Sequence, residues 1–344
     1  MTQPQTIDVH AHILSEDTIA LMRREAPAIA PRLTPIDADS AVLEIAGTPY
    51  RPFPRGGFDL ERRLRDMDAA QVDVQVLSIT PQTFLYAQDR SLTATCARIQ
   101  NDAIANLVAA HPDRFLGIAT LPMQAPELAV DELRRAMRTL DLRGAMIGSN
   151  VDGRNLDDPA LEPIWAAAAE LGAFILVHPV KVAGADRLKS YYLTNLIGNP
   201  LDTSIAIASL VFGGVLERHP SLTFCFSHGG GFIPYQAGRL AHGWNVRNEP
   251  KTRLAQPPEA SLARLNYDTI LHSKTALEFL IASVGAARVM LGSDYPFDMG
   301  MTDCVRHVRA LDIAEADRAT ILGDRARALL GTPGARAGRQ RAKA

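Results

Sequence analysis

Short apolar runs alternate with longer amphipathic segments along most of the sequence. Several of the runs, such as Ala173–His178 (AFILVH), are continuously apolar, which is typical of parallel strands buried on both faces. The pattern predicts eight strands: Thr6–His10, Val72–Ile79, Phe115–Leu121, Ala145–Gly148, Ala173–His178, Leu222–His228, Leu265–Ile270 and Arg288–Asp294. The segments between them predict helices at Asp59–Ala70, Ser91–His111, Ala125–Leu140, Pro159–Leu171, Thr203–Arg218, Thr275–Val284 and Ala314–Leu330.

This repeated strand–helix alternation favours a closed (β/α)8 barrel over an open doubly wound sheet. We expect a single domain over residues 1–335, followed by a basic, flexible tail over residues 336–344. Two segments exceed a minimal barrel, Ser15–Phe58 after strand one and Val180–Pro200 after strand five. Both follow the C-terminal ends of strands, where barrel enzymes place substrate-shaping loops. We therefore predict long loop insertions there, with residues 15–58 over the active site.

Composition narrows the class of protein. Hydrophobic residues make up 47% of the 344 residues, charged residues 22%, and the net charge is −2. This balance is that of a soluble globular protein and argues against a nucleic-acid binder, which would show a strongly basic face. No apolar stretch is long enough to span a membrane, and no signal peptide is evident. The three cysteines are far apart and form no CxxC pair, so we predict a reducing, cytoplasmic location.

Histidines and one aspartate stand at the ends of the predicted strands. His10 and His12 end strand one and share a face, because side chains alternate along a strand. His178 ends strand five, His228 ends strand six, and Asp294 ends strand eight. An HxH pair alone is weak evidence for a metal site, although two imidazoles at this spacing suit a divalent ion. Because the C-terminal ends of the strands meet at one rim, we expect the five side chains to form one site.

Longer motifs surround these residues, and with them the sequence resembles the amidohydrolase superfamily. The similarity is greatest to the branch of aminocarboxymuconate semialdehyde decarboxylase-like enzymes, and it covers nearly the whole chain. The motifs that carry it are Ile175–Pro179 (ILVHP), Phe226–Gly231 (FSHGGG), Met290–Phe297 (MLGSDYPF), Gly238–Arg239 followed by Trp244, and Arg51–Pro52.

The resemblance implies a mononuclear metal site with an open coordination position. It assigns the metal ligands as His10, His12, His178 and Asp294, with Asp294 also a catalytic residue, and it makes His228 the acid/base. The expected ion is Zn²⁺, one per subunit, with another divalent ion such as Mn²⁺ as the alternative. Strand four ends in Met146–Ser149, without the lysine or glutamate that bridges two ions in binuclear relatives, which supports one metal.

The resemblance also assigns substrate-binding residues. Arg51 and Arg239 would neutralise a substrate carboxylate, which the planar guanidinium binds bidentately. Arg239 is expected to reach the site of a neighbouring subunit, so the active form would be a homodimer. Phe297 would pack against the substrate, and Tyr191 stands where the resembled enzymes carry tryptophan. Lys181 lies in a segment that departs from their pattern, as either a second positive charge for a dicarboxylate or a solvated side chain.

These features predict an enzyme that removes CO2 from a small unsaturated or aromatic carboxylate without an organic cofactor. An aminocarboxymuconate semialdehyde-like compound is the expected kind of substrate. The alternative is a metal-dependent hydrolase or hydratase, for example a lactonase acting on a dicarboxylate of aromatic-ring degradation. A third hypothesis, a catalytically silent barrel that only binds a partner, is disfavoured because none of the expected ligands is missing.

Overall fold

The computed structural model describes residues 5–332, so the predicted basic tail over residues 336–344 lies outside the described part. All eight predicted strands are present, with shifted bounds. They are β1 (Ile7–Ile13), β2 (Val74–Ile79), β3 (Phe115–Gly117 and Ala119–Thr120), β4 (Gly144–Gly148), β5 (Phe174–His178), β6 (Thr223–Phe226), β7 (Asn266–Asp268) and β8 (Val289–Met290). Each strand pairs in parallel with the next one along the chain from β1 to β8.

Backbone hydrogen bonds close this sheet into a barrel. The amide of Val9 donates to the carbonyl of Leu291 at 2.9 Å, and the amide of His12 donates to the carbonyl of Tyr295 at 2.7 Å. These bonds join the segment after β8 to β1. Where β3 is interrupted, the amide of Ile118 still donates to a carbonyl of β2 at 3.0 Å. The predicted (β/α)8 barrel is therefore confirmed.

Helices cover the outside of the barrel and bury their apolar faces against it. In α5, for example, the buried ring of Trp165 packs edge-on against Phe224 of β6 at 5.7 Å between centroids, and the helix ends at the left-handed Gly172. The helices are α1 (Glu16–Glu25), α2 (Leu60–Ala70), α3 (Arg90–Ala110), α4 (Pro126–Arg138), α5 (Glu162–Leu171), α6 (Asn199–Phe212), α7 (Val215–Arg218), α8 (Ile233–Val246), α9 (Pro258–Leu262), α10 (Lys274–Val284), α11 (Cys304–Arg309), α12 (Glu315–Ala319) and α13 (Arg325–Leu330). Within residues 5–332, none of them has the length and hydropathy to cross a membrane.

The insertion after β1 is folded, which differs from the long loop that the sequence predicted. It contains α1 and a three-stranded antiparallel sheet of Arg32–Pro35, Ser40–Ile45 and Thr48–Pro54. The middle strand alternates half-buried and buried residues, as expected of a sheet with one covered face. Its buried side chains share an apolar cluster with α1 and with α3. The insertion is therefore a second layer with a small core of its own.

Other element bounds also differ from the sequence pattern. The helix predicted to begin at Thr203 begins at Asn199, and a π-helical turn over Thr194–Gly198 leads into it. The pattern predicted no helix between residues 219 and 274, yet α8 and α9 lie there. Arg239, which lies just beyond the loop that carries His228, is on α8.

Candidate metal centre

The four expected metal ligands meet at the C-terminal end of the barrel. His10 and His12 come from β1, His178 is the last residue of β5, and Asp294 follows β8. One ligand atom from each lies within 4.8 Å of the others, and all four residues are buried. Asp294 Oδ1 is 3.0 Å from His12 Nε2, 3.3 Å from His10 Nε2 and 3.9 Å from His178 Nε2. The structure therefore brings together the residues that the sequence placed on three separate strands.

The three imidazoles are all held by Nδ1, so that Nε2 faces the shared space. Nδ1 of His10 donates to Asp268 Oδ2 at 2.7 Å, Nδ1 of His12 to the last carbonyl of β2 at 2.8 Å, and Nδ1 of His178 to the carbonyl of Pro179 at 2.9 Å. Among residues 5–332, Nε2 of His10 and Nε2 of His178 have no hydrogen-bond partner. Buried polar atoms rarely lack partners, and histidines fixed through the second nitrogen are typical of metal ligands. The residues present therefore fit a divalent ion.

The electrostatics of the centre favour a positive charge. Burial opposes protonation of His10, but the negative charges of Asp294 and Asp268 outweigh it and raise the pKa of His10 to about 10. Burial lowers the pKa of His178 to about 3, which leaves this imidazole neutral and able to donate a lone pair. Burial also acts to raise the pKa of Asp294, yet the positive charge of His10 and the nearby histidines hold it well below its usual value. An ionised Asp294 beside a neutral His178 suits zinc or manganese, and the negative charges that raise the pKa of His10 would also stabilise a bound cation.

Asp268, at the end of β7, is a site residue that the sequence analysis missed. Its Oδ1 accepts from the amides of Gly229 at 2.9 Å and Ile270 at 3.1 Å, while its Oδ2 accepts from His10. It thus links a metal ligand to the loop that carries His228. The signal that could have found it is a carboxylate at the C-terminal end of a predicted strand.

His228 stands beside the four ligands at the start of the loop after β6. Its Nε2 is 3.3 Å from Asp294 Oδ2, and its ring centroid is 5.4 Å from those of His10 and His178. The loop depends on glycine: Gly231 has a φ of 62°, and a Cβ there would lie 2.1 Å from the carbonyl oxygen of Pro200. This close approach fixes the path of the loop and with it the position of His228.

Only one of the four predicted substrate-binding residues contacts the centre within this chain. The ring of Phe297 is 5.4 Å from that of His12. Arg51, on the last insertion strand, and Arg239, on α8, are exposed, and Tyr191 is 87% exposed. Across residues 5–332, no hydrogen bond or ion pair joins these three to the ligands.

Two further side chains, Lys181 and Tyr192, belong to the insertion after β5. Lys181 forms an ion pair with Asp152, so its charge is already balanced. Burial raises the pKa of the Tyr192 hydroxyl, and the negative charges of Asp298 and Asp294 raise it further. Tyr192 therefore lies within reach of the charge of Asp294, and the sequence analysis did not single it out.

Comparisons with known proteins agree with this geometry. The family described as Amidohydrolase matches residues 7–332. The 2-amino-3-carboxymuconate-6-semialdehyde decarboxylase of Dictyostelium discoideum is 36% identical over 328 residues, which cover 94% of this chain and 91% of the relative. The structure of 5-carboxyvanillate decarboxylase from Sphingomonas paucimobilis matches with a TM-score of 0.82 at 25% identity, covering 95% of this chain and 99% of that one. A manganese-bound dihydroxybenzoic acid decarboxylase from a Polaromonas species matches with a TM-score of 0.78 at 22% identity, covering 95% and 97%. The predicted relationship is confirmed, and the chain belongs to the amidohydrolase family.

Proposed function

We propose that this protein is a metal-dependent, nonoxidative decarboxylase that acts on a small unsaturated or aromatic carboxylate, such as an aminocarboxymuconate semialdehyde-like compound. The observation that carries the proposal is the pair of buried, partnerless Nε2 atoms of His10 and His178 around Asp294, with His228 alongside. Relatives of this chain include decarboxylases of aminocarboxymuconate semialdehyde, gamma-resorcylate and 5-carboxyvanillate.

The ion that we propose is zinc, held by His10, His12, His178 and Asp294, one per subunit. Three imidazoles and one carboxylate are a ligand set that zinc readily accepts. Manganese is the second candidate, since it is bound in the Polaromonas decarboxylase. Either ion, when bound, supplies a Lewis acid that withdraws electron density from the substrate.

The side chains of this protein perform the remaining tasks. Decarboxylation breaks a C–C bond, releases CO2 and leaves an electron pair, which the conjugated system of the substrate delocalises. His228 is placed to deliver a proton to that carbon, since histidine exchanges protons near neutral pH. Phe297 supplies an apolar wall beside His12, and the burial of the ligand residues limits access of water. Arg51 and Arg239 would balance the charge of the substrate carboxylates.

We also propose a homodimer in which Arg239 enters the site of the partner. Phe232, directly before α8, and Tyr235, Arg239 and Val246 on α8 recur at a spacing that places them along one face, and all four are exposed. The ring of Tyr235 lies 6.0 Å from that of the half-exposed Phe279. Contiguous exposed apolar side chains mark protein interfaces, and a second copy would bury them while carrying Arg239 towards the site of its partner.

A cytoplasmic location is our proposal for the setting of this enzyme. Cys96, Cys225 and Cys304 are each buried as free thiols. Separately buried thiols are typical of proteins in a reducing compartment.

The decisive assay incubates the metal-loaded protein with candidate acids in ¹⁸O-labelled water. The acids are aminocarboxymuconate semialdehyde, 5-carboxyvanillate and 2,6-dihydroxybenzoate, and ultraviolet absorbance and released CO2 are followed together. We expect one equivalent of CO2 per molecule of acid consumed and, with the two aromatic acids, no ¹⁸O in the organic product. Turnover of lactones or amides with ¹⁸O in the product, and no CO2 from any acid, would establish the hydrolase alternative instead.

A further inference from the structure

An arginine lies fully buried beside the metal centre. Arg63, on α2, is 0% exposed, and it is the one lysine or arginine classed as buried among residues 5–332. Its Nη1 donates to Gln75 Oε1 at 2.9 Å, its Nη2 donates to the carbonyl of His12, and its guanidinium lies 4.8 Å from the centroid of the Tyr295 ring. It therefore contacts β1, β2 and the segment after β8 at once.

A chain of hydrogen bonds continues from this arginine to the second ligand segment. Gln75 Nε2 donates to Asp8 Oδ2 at 3.1 Å. Asp8 in turn accepts from Ser293 Oγ at 2.6 Å, from the amide of Ser293 at 3.0 Å and from the amide of His10 at 3.0 Å. Ser293 directly precedes Asp294 in the sequence. The network thus fixes the backbone on both sides of the centre.

The chemistry of this network differs from that of an ordinary buried ion pair. No carboxylate bonds directly to Arg63 in the described chain, and Asp8 is reached only through the amide of Gln75. Burial lowers the pKa of Arg63 to about 10, so the guanidinium remains charged at neutral pH. Removing such a charge from water is costly. The fork of the guanidinium bonds two acceptors on adjacent strands, which a single ammonium cannot do with the same geometry.

We propose that Arg63 is a positioning residue of the metal centre, which sets the register of His10 and His12 against Asp294 through Gln75, Asp8 and Ser293. Arg63 touches none of the metal-ligand side chains, so its effect passes through backbone and amide contacts. The proposal rests on the proposed metal site, and it holds whichever reaction that site catalyses.

Metal affinity tests this role without relying on turnover. Arg63→Met keeps much of the side-chain length and removes both donors. Loss of an outer-shell partner lowers metal affinity or activity by tenfold to a hundredfold in other sites, and we expect a loss of about that size for Zn²⁺, measured by competition with a chromophoric chelator. The visible absorption bands of the Co²⁺-loaded variant should also shift, because the ligand geometry changes.

A matched control separates positioning from general loss of stability. Arg135, on α4, pairs with Glu132 and Asp102 away from the metal-ligand residues, so Arg135→Met makes the same chemical change elsewhere. It should lower the melting temperature while leaving Zn²⁺ affinity and the Co²⁺ spectrum as in the parent. Equal losses of affinity in Arg63→Met and Arg135→Met would overturn the proposal.

Two further variants guard against a misfolded Arg63→Met protein. Arg63→Lys keeps the charge and loses the fork, so it should weaken Zn²⁺ binding in the same direction. Gln75→Leu removes the hydrogen bonds of the Gln75 amide to Arg63 and to Asp8. This variant should therefore weaken Zn²⁺ binding as well. Parent-like affinity in either folded variant would contradict the network. If no acid is decarboxylated, the proposed function fails, but the affinity measurements still decide the role of Arg63.

Discussion

The two halves of the candidate site are built in opposite ways. The metal-ligand half is buried, and the imidazoles of His10, His12 and His178 are each fixed by a hydrogen bond from Nδ1. The proposed substrate half, represented by Arg51 and Arg239, is exposed and has no partner for either guanidinium within residues 5–332.

This contrast shows that a single chain forms the contacts of the metal ligands but not those of the two arginines. A metal centre must be preorganised, because its ligands and their outer partners set affinity together. We propose that Arg51 and Arg239 gain their partners only when the substrate or a second subunit binds. Changes to the buried half should therefore alter metal binding, and changes to the exposed half should alter only substrate handling.

The largest effect should come from removing a ligand. His178→Ala leaves three ligands, and we expect the affinity for Zn²⁺ to fall by more than about a hundredfold, since loss of an outer partner alone costs up to that much. Metal analysis of the purified variant measures this directly. His219→Ala, which removes a histidine that pairs with Glu162 at 2.6 Å, is the control and should keep one equivalent of metal. A His178→Ala protein with parent affinity would remove this residue from the ligand set.

The next largest effect separates proton transfer from metal binding. His228→Ala should retain the metal and lose turnover by about a hundredfold or more, the usual contribution of an acid/base group. Metal content and the rate of CO2 release are measured on the same sample. An unchanged rate would show that another group delivers the proton.

A smaller effect is expected in the exposed half. Arg239→Ala should lower kcat/KM by about tenfold to a hundredfold, as for loss of a hydrogen bond to a charged group, with metal content unchanged. Arg247→Ala changes an exposed arginine just beyond the same helix, which pairs with Glu249, and should have no effect. A loss of metal in Arg239→Ala would contradict the claim that the exposed half does not affect metal binding.

Subunit mixing tests whether Arg239 acts across an interface. Equimolar Arg239→Ala and His228→Ala subunits should recover about a quarter of the parent activity, since half of the dimers are hybrids with one intact site each. Recovery requires that the arginine and the histidine of one site come from different chains. No recovery in a proven hybrid would place Arg239 in its own subunit's site.

The smallest effect is expected far from either half. Hydrogen bonds from Arg218 lower the pKa of Glu162 below its usual 4.5, so the ionised form stabilises the fold above that pH and loses the contribution as pH falls through the lowered pKa. Because the side chain is 39% exposed, Glu162→Gln should lower the free energy of unfolding at neutral pH by less than about 1 kcal/mol. Urea unfolding at neutral pH and well below pH 4.5 measures the difference, which should vanish at the lower pH. Turnover should not change.

The sequence was sufficient for the barrel and for the residues at the strand ends. Buried parallel strands are marked by apolar runs, and a polar residue that ends such a run is conspicuous, as at His178 and Asp294. Parallel pairing then places the ends at one rim without any further information. The apolar pattern thus predicted that the five side chains lie together. The resemblance then predicted which four of them bind the metal and which one is the acid/base.

The remaining features depend on contacts between distant residues. Asp268 bonds to His10 across 258 positions, and the burial of Arg63 depends on Gln75 and Tyr295 closing over it. The α8 helix packs Ile233, Leu240 and Trp244 against the barrel, but the exposed apolar side chains on its other face obscure the periodicity of a core-facing helix. The insertion was predicted as a loop, but most of its prolines stand on a short sheet whose buried face packs on α1 and α3.

Stepwise return of metal to exhaustively chelated protein tests the central claim most directly. The chelated protein should release no CO2 from its substrate, and activity should rise linearly with added Zn²⁺ or Mn²⁺ until one equivalent per chain is bound. Full activity in the metal-free protein, or a plateau reached only at two equivalents, would contradict a single ion held by His10, His12, His178 and Asp294.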